Sequence, residues 1–387
     1  MEERKRNTVV MSALLAIAFI VMLINRLQSP SHDQDTTTGA TPDTSEDDAY
    51  LENLIEAMHY EKLDDNIVRC QLCFRCCVIQ DGERGFCQTR QNIEGELYSL
   101  VYGRAGAIQF DPVEKEPMHH FNPGSKIYCI GTPGCNFMCA FCQNWHLSQQ
   151  TVEERRTQAI TPDEIVADAI NNQIPAISFT YNEPTVFYEF AYDIARTAKA
   201  SGLNVIFHTN GAMNAEPMRQ LLRYVDGVTV DLKGFDEDFY REICGSELEP
   251  VLNTLQLIRE EGAWLEIVNL VIPTLNDDPE TIRAMCQWIH DNLGPGTPLH
   301  FSRFYPAYRL TSIQPTPVET LEKAYEIAKD VGLQHVMIGN VPGHEKNSTY
   351  CPDCGSLLIQ RYHFTVVENN LDDGSCFSCG KEIPGIW

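Results

Sequence analysis

Basic residues are scarce in this chain. Its 387 residues hold 29 Lys and Arg against 54 Asp and Glu, a formal charge of −25. A groove that tracks nucleic-acid phosphates needs a basic stripe, so nucleic acid is excluded as a partner. Two other absences narrow the fold and the cofactor. No Gly-rich dinucleotide fingerprint follows the first apolar run of the body, which argues against a doubly wound nucleotide-binding sheet. Long apolar runs are absent too, apart from one near the N-terminus. Cysteine, by contrast, is plentiful. The 15 thiols fall in tight groups, unlike those of a disulfide-stapled secreted domain, and a chain this long and 43% hydrophobic needs no staples. Grouped thiols point to metal and to a reducing compartment.

The N-terminus stands apart. Arg4, Lys5 and Arg6 precede an apolar run at residues 9–24, which would span roughly 24 Å as a helix, slightly short of a bilayer core. Asn25-Arg26-Leu27-Gln28 offers no small-residue cleavage site, so an uncleaved single-pass membrane anchor over 1–27 is favoured over a signal peptide. The basic cluster would send the rest of the chain outward, whereas the metal chemistry below wants a reducing cytoplasm. The catalytic domain is assigned to the cytoplasm, with the membrane side left open. Residues 28–66 read as an acidic tether with a short helix, Ser/Thr/Asp-rich at its start and without apolar periodicity there.

From residue 126 onward short apolar runs alternate with amphipathic helical stretches. The runs are 126–130, 176–180, 204–209, 227–231, 265–272, 299–304 and 335–338. Thr161-Pro162-Asp163-Glu164 and Thr316-Pro317-Val318-Glu319 read as capping boxes, and Asp278-Pro279 opens a helix in the same manner. Six or seven β/α units predict an α/β fold with a parallel sheet, its functional groups in the loops after the strands.

One such loop carries Gly134-Cys135-Asn136-Phe137-Met138-Cys139-Ala140-Phe141-Cys142. Thiolates at C-x3-C-x2-C spacing can hold three corners of a cubane iron–sulfur cluster, leaving the fourth iron without a protein ligand. The competing reading is a zinc knuckle, which would draw a fourth ligand from His146 or Cys129. In this strand–loop setting the triplet resembles the signature of the radical S-adenosylmethionine (SAM) superfamily. The resemblance implies a partial (β/α)6 TIM-like barrel over 121–343, with a [4Fe-4S] cluster on Cys135, Cys139 and Cys142 and SAM on the open iron. It further implies reductive cleavage of SAM to a 5′-deoxyadenosyl radical, fed by a low-potential donor of flavodoxin or ferredoxin type.

Other strand ends fit the same resemblance. Glu183, in Ser178-Phe179-Thr180-Tyr181-Asn182-Glu183-Pro184, is similar to the segment gripping the SAM amino group. Its alternative is a carboxylate held by the dipole of the following helix. Thr209 and Asn210 end the third strand, and Asp231 and Lys233 the fourth. Both segments resemble those lining the SAM site of pyruvate formate-lyase activating enzymes. Those activases often carry Asp, in a position linked to a monovalent cation, where this chain has His208. Asn269, on the fifth strand, resembles the segment near the SAM carboxylate and ribose.

Two further cysteine groups flank the barrel. Cys70, Cys73, Cys77 and Cys87 lie in a Cys-rich segment over 67–120, with Cys76 as a spare thiol. Four thiolates there suit zinc or a closed iron–sulfur cluster. Cys351, Cys354, Cys376 and Cys379 form two C-x2-C knuckles over 344–387, each followed by Gly, and predict a ribbon around zinc or a rubredoxin-like iron. The arrangement of all these pieces is similar to the AmmeMemoRadiSam-system radical SAM enzymes, which implies Memo-like and AMMECR-like partners. The alternatives are a glycyl-radical-enzyme activase-like protein and, from another class, a membrane-tethered iron–sulfur electron-transfer protein. Cys244, Cys286 and Cys129 read as packing residues, as do His119 and His120.

Overall fold

The computed structural model describes residues 54–387. Eight strands form its main sheet: β1 (Ala107–Pro112), β2 (Lys126–Gly131), β3 (Ala176–Phe179), β4 (Asn204–Thr209), β5 (Gly227–Asp231), β6 (Trp264–Val271), β7 (Leu299–Arg303) and β8 (Val336–Gly339). Strands β2 to β8 lie side by side in chain order, every neighbouring pair parallel, and β1 adds an antiparallel edge against β2. Unbroken sequential order is what a barrel wall gives; a doubly wound sheet reverses at a switch point. Among the described residues no strand pairing joins β8 back to β1, so the barrel is partial.

Six helices return the chain between the parallel strands: α1 (Pro162–Asn171), α2 (Tyr188–Ala200), α3 (Ala215–Leu222), α4 (Glu249–Glu261), α5 (Pro279–Leu293) and α6 (Val318–Val331). Right-handed crossovers in sequential order put them all on the same side of the sheet. The strands are near-continuous apolar runs because both faces are covered: all of β3 and Val205, Ile206 and Phe207 of β4 are buried. Thr161 and Glu164 make the reciprocal capping box at α1, and the Asp278 side chain accepts from the Thr281 N–H (2.9 Å) to start α5. Thr316 does not cap α6 as expected. Its hydroxyl is buried, donating to the Val271 carbonyl (2.6 Å) and accepting from the Phe304 N–H (3.0 Å), so it laces β6 to the chain beyond β7.

Before the barrel, short antiparallel pairings hold the cysteine-rich segment together: Tyr60–Lys62 with Val68–Cys70 and Val78–Ile79, and Ile55–Glu56 with Glu96–Ser99 and Arg90–Ile93. Residues 54–66 thus carry strands rather than the expected short helix. After the barrel, Thr349–Tyr350, Leu357–Tyr362 and Thr365–Asn369 form a three-stranded antiparallel ribbon. The expected membrane localisation is corrected. Among the described residues no helix is long and apolar enough to cross a membrane. The run at 9–24 that prompted the expectation, already short of a bilayer core by length, lies outside the described residues.

Candidate functional site

The loop leaving β2 carries the cysteine triplet, and its path is fixed by contacts to three other segments. Gly134 is left-handed (φ 95°), and a Cβ there would run into Thr89 and stand 2.8 Å from the Cys87 carbonyl oxygen. Only glycine fits. Asn182, just past β3, accepts from the Thr132 N–H (3.1 Å) and donates to the Gly134 carbonyl (2.9 Å). Met138 and Ala140 donate their N–H groups to the carbonyls of Cys244 and Ile243, both at 2.9 Å. So held, Cys135, Cys139 and Cys142 face one cavity of about 450 Å³ at the C-terminal ends of the strands.

Donors already point at these sulfurs. The Phe137 N–H lies 3.3 Å from Cys135 Sγ, and Ser148 Oγ lies 3.2 Å from Cys142 Sγ. Burial pushes the Cys135 and Cys142 thiols up, whereas the Cys244 thiol against Cys139, helped by Lys233, draws Cys139 down. Cys244, expected only to pack, therefore supports the triplet. Neither fourth ligand of the zinc reading is in place. Cys129 Sγ meets Glu116 Oε1 at 3.5 Å, and neither it nor His146 lines the cavity.

The strand ends opposite bring together most of the residues expected there. Glu183 Oε1 accepts from the Thr185 N–H (3.0 Å), the Thr185 hydroxyl (2.6 Å) and the Thr209 hydroxyl (2.7 Å), and its Oε2 from the Asn210 N–H (2.7 Å). This carboxylate accepts four hydrogen bonds from the chain itself and clasps the end of β3 to that of β4. Asn210 also donates to Asn136 Oδ1 (2.7 Å), tying the clasp to the cysteine loop. Lys233 Nζ lies 2.8 Å from Asp231 Oδ2. His208 stands between Glu116 Oε2 (2.8 Å) and Asp231 Oδ1 (3.2 Å). Burial alone would lower its pKa, but Asp231 and Glu116 outweigh that and bring it up to about 10. The two carboxylates thus favour the protonated imidazole at this strand end. Glu183, Thr209, Asn210, Asp231 and Lys233 line the cavity; Asn269 does not. Its neighbours Val268 and Leu270 face the cavity, so strand alternation turns Asn269 away, and its amide donates to the Leu232 carbonyl (2.8 Å).

Sequence reasoning missed the opposite wall. His119 and His300 line the cavity with ring centroids 4.6 Å apart, and the Nδ1 of each is buried without a hydrogen-bond partner. Beneath them Glu266 accepts from the His119 N–H (3.0 Å), the His120 N–H (2.7 Å) and Trp264 Nε1 (3.1 Å), and lies 2.7 Å from His300 Nε2. Burial would raise its pKa, yet His300 and the other partners hold it near 2. Asn347, His363 and Phe364 bring the ribbon into the same cavity wall.

Cys351, Cys354, Cys376 and Cys379 meet with all four sulfurs within 4.8 Å of one another, the spacing of a single tetrahedral ion. The two knuckles match: Gly355 and Gly380, both left-handed, donate to the carbonyls of Cys351 (3.0 Å) and Cys376 (2.8 Å). This group can bind a metal. Cys70, Cys73, Cys77 and Cys87 line a second, smaller cavity together.

Three thiols on one wall, no fourth among the lining residues, and unpartnered polar nitrogens across the space fit a cluster gripped at three irons with a polar ligand above it. The fold and this site define a class. The radical SAM superfamily signature matches residues 129–286, and the chain belongs to that superfamily, which implies a [4Fe-4S] cluster and SAM. An uncharacterised protein of Methanocaldococcus jannaschii is 48% identical over 330 residues, covering 85% of this chain and 98% of that one. A pyruvate formate-lyase-activating enzyme of Clostridium pasteurianum is 25% identical over 162 residues, 40% of this chain and 66% of that one. The benzylsuccinate synthase activating enzyme of Thauera aromatica is 23% identical over 228 residues, 53% of this chain and 67% of that one. Among solved structures, a domain of a pyruvate-formate lyase-activating enzyme from Bacteroides vulgatus gives a TM-score of 0.38 at 21% identity, over 42% of this chain and 98% of that one. The protein is a radical SAM enzyme related to glycyl-radical-enzyme activating enzymes.

Proposed function

We propose that this enzyme abstracts hydrogen from a substrate held in the cavity between the cysteine triplet and the His119–His300 wall. The observation that carries this reading is the triplet itself, three thiols facing one cavity without a fourth protein ligand. When bound, the cluster and SAM supply a 5′-deoxyadenosyl radical. The chain's own part is to place and shield. Glu183, Thr209 and Asn210 fix two strand ends, Lys233 and Asp231 offer a charged pair toward SAM, and the ribbon residues His363 and Phe364 limit access to water. A low-potential one-electron donor of flavodoxin or ferredoxin type is the partner this chemistry requires. Motif similarity to the AmmeMemoRadiSam system supports Memo-like and AMMECR-like proteins as further partners, and zinc as the ribbon metal.

Anaerobically reconstituted, reduced protein should release 5′-deoxyadenosine from SAM, and Cys139→Ala should not. Absence of that product from wild type would refute the proposal. A second reading, activation of a glycyl-radical enzyme, is supported by the relatives named as activating enzymes. It predicts a glycyl radical in a partner polypeptide. If Cys139→Ala instead left SAM affinity unaltered, the chain would be an electron carrier.

A further inference from the structure

The two flanking cysteine groups are built differently. In the C-terminal ribbon Cys351 and Cys379, and likewise Cys354 and Cys376, approach to 3.6 Å. A tetrahedral ion with metal–sulfur bonds of about 2.3 Å sets its ligands roughly 3.8 Å apart, so this ribbon suits one ion. The N-terminal four converge without closing to that spacing. Among the described residues, the ribbon cysteines are the sole group of three or more ligands with all donor atoms within 4.8 Å. Yet Cys70, Cys73, Cys77 and Cys87 all line one small cavity. Sulfurs that share a cavity but stand farther apart than a single ion allows are spaced for something larger than an ion, which would fill and widen the roughly 20 Å³ now open between them.

The rest of that cavity is suited to a buried anionic group. Leu72, Ile79 and Val186 give it apolar walls, and Arg75 and Arg90 are among the residues that line it. Arg90 is buried, and Glu189 holds one of its terminal nitrogens at 2.6 and 2.8 Å, yet its Nε has no hydrogen-bond partner. An unpaired buried guanidinium N–H beside four thiols is costly unless it meets an acceptor there. Cluster sulfides and thiolates would be such acceptors.

This cavity adjoins the triplet. Asn136, between two residues that line the main cavity, lines the second one. Arg75 donates through Nε to the Asn136 carbonyl (2.7 Å) and through a terminal nitrogen to the Gly245 carbonyl. The Cys87 carbonyl presses on Gly134 so closely that no Cβ could stand there. One residue of the cysteine loop separates the two sites.

We propose that Cys70, Cys73, Cys77 and Cys87 hold a second, fully ligated [4Fe-4S] cluster that passes single electrons to the open cluster beside it. With a thiolate on every iron it has no vacant position for substrate, and electron transfer is the chemistry left to it. One electron enters from a low-potential donor, taking the cluster from the 2+ to the 1+ state, and one leaves to the neighbouring cluster, with no bond made or broken. The relay role rests on the radical reading above; the cluster itself does not.

The test removes the open cluster. The Cys135→Ala/Cys139→Ala/Cys142→Ala variant, reconstituted anaerobically with iron and sulfide, should retain one cubane's worth of iron and acid-labile sulfide per chain. On reduction it should give an electron paramagnetic resonance signal indifferent to SAM. Wild type should hold two cubanes' worth, and its reduced spectrum should show spin–spin broadening that the variant lacks. Zinc without sulfide in the variant would overturn the proposal. Should that variant fail to fold, a wild-type content of only one cubane would overturn it equally. Two reduced but non-interacting signals would remove the relay. None of these readouts depends on SAM cleavage, so failure here and failure of the radical reading are separable.

Discussion

His208 offers the sharpest test of the site's electrostatics. Its imidazole is wedged between Glu116 and Asp231 at 2.8 and 3.2 Å. Burial works against its charge, but the two carboxylates lift its pKa from 6.5 to about 10. That difference corresponds to ~5 kcal/mol of folding free energy. The folded state binds the proton more tightly than the unfolded chain, so this stability is fully present below pH 6.5. It is lost as pH rises toward 10, by about 1.4 kcal/mol per pH unit. Between about pH 7.5 and 9.5 wild type should therefore lose roughly 2–3 kcal/mol more than a variant without the imidazole. The assay is anaerobic urea unfolding of wild type and His208→Gln across that range, taken as a difference so that other titrating groups cancel. Parallel pH profiles for the two proteins would show that His208 is not the charged link described here.

Three other expectations concern packing and metal. Glu266→Ala strips the acceptor from the His119, His120 and Trp264 N–H donors; at roughly 1–3 kcal/mol for each orphaned group, thermal unfolding should show a loss of at least ~3 kcal/mol. Gly134→Ala forces a side chain into Thr89 and the Cys87 carbonyl at a left-handed position; the strain of about 1–3 kcal/mol plus the clash should lower iron content after reconstitution, measured per chain. Chelation of the ribbon metal, or Cys354→Ser, should expose residues 344–387 to limited proteolysis while residues 126–339 stay protected, because a segment so short has little core without its ion.

The parallel strands could be read from sequence because each is a nearly continuous apolar run, and the triplet because its spacing is local. What escaped depended on distant pairings. β1 contains Gln109 and Asp111, is only half-covered, and becomes a strand through its antiparallel register with β2. Thr316 follows every rule for a cap, yet the buried Val271 carbonyl claimed its hydroxyl. Asn269 was placed in the site by position along the chain, but a one-residue parity on β6 decides which way it faces. His119 looked like packing because its partners, Glu266 and His300, lie more than a hundred residues away. Glu183 lines the cavity, but only the fold reveals that four protein donors already reach it.

The ribbon's reach into the cavity has a practical corollary for anyone dissecting the molecule. Arg361, fully sequestered, bonds the His119 carbonyl (2.6 Å) and sits 3.7 Å from Glu114, while His363 and Phe364 close one side of the chamber. A fragment cut to the matched superfamily segment, residues 129–286, would lose Glu114, His119 and Arg361 together, and one lacking only the ribbon would strand Glu114 without its counter-charge and open that flank to bulk solvent. The smallest autonomous catalyst is therefore far larger than its recognisable signature, and swapping tails between relatives would exchange part of the reaction chamber as well.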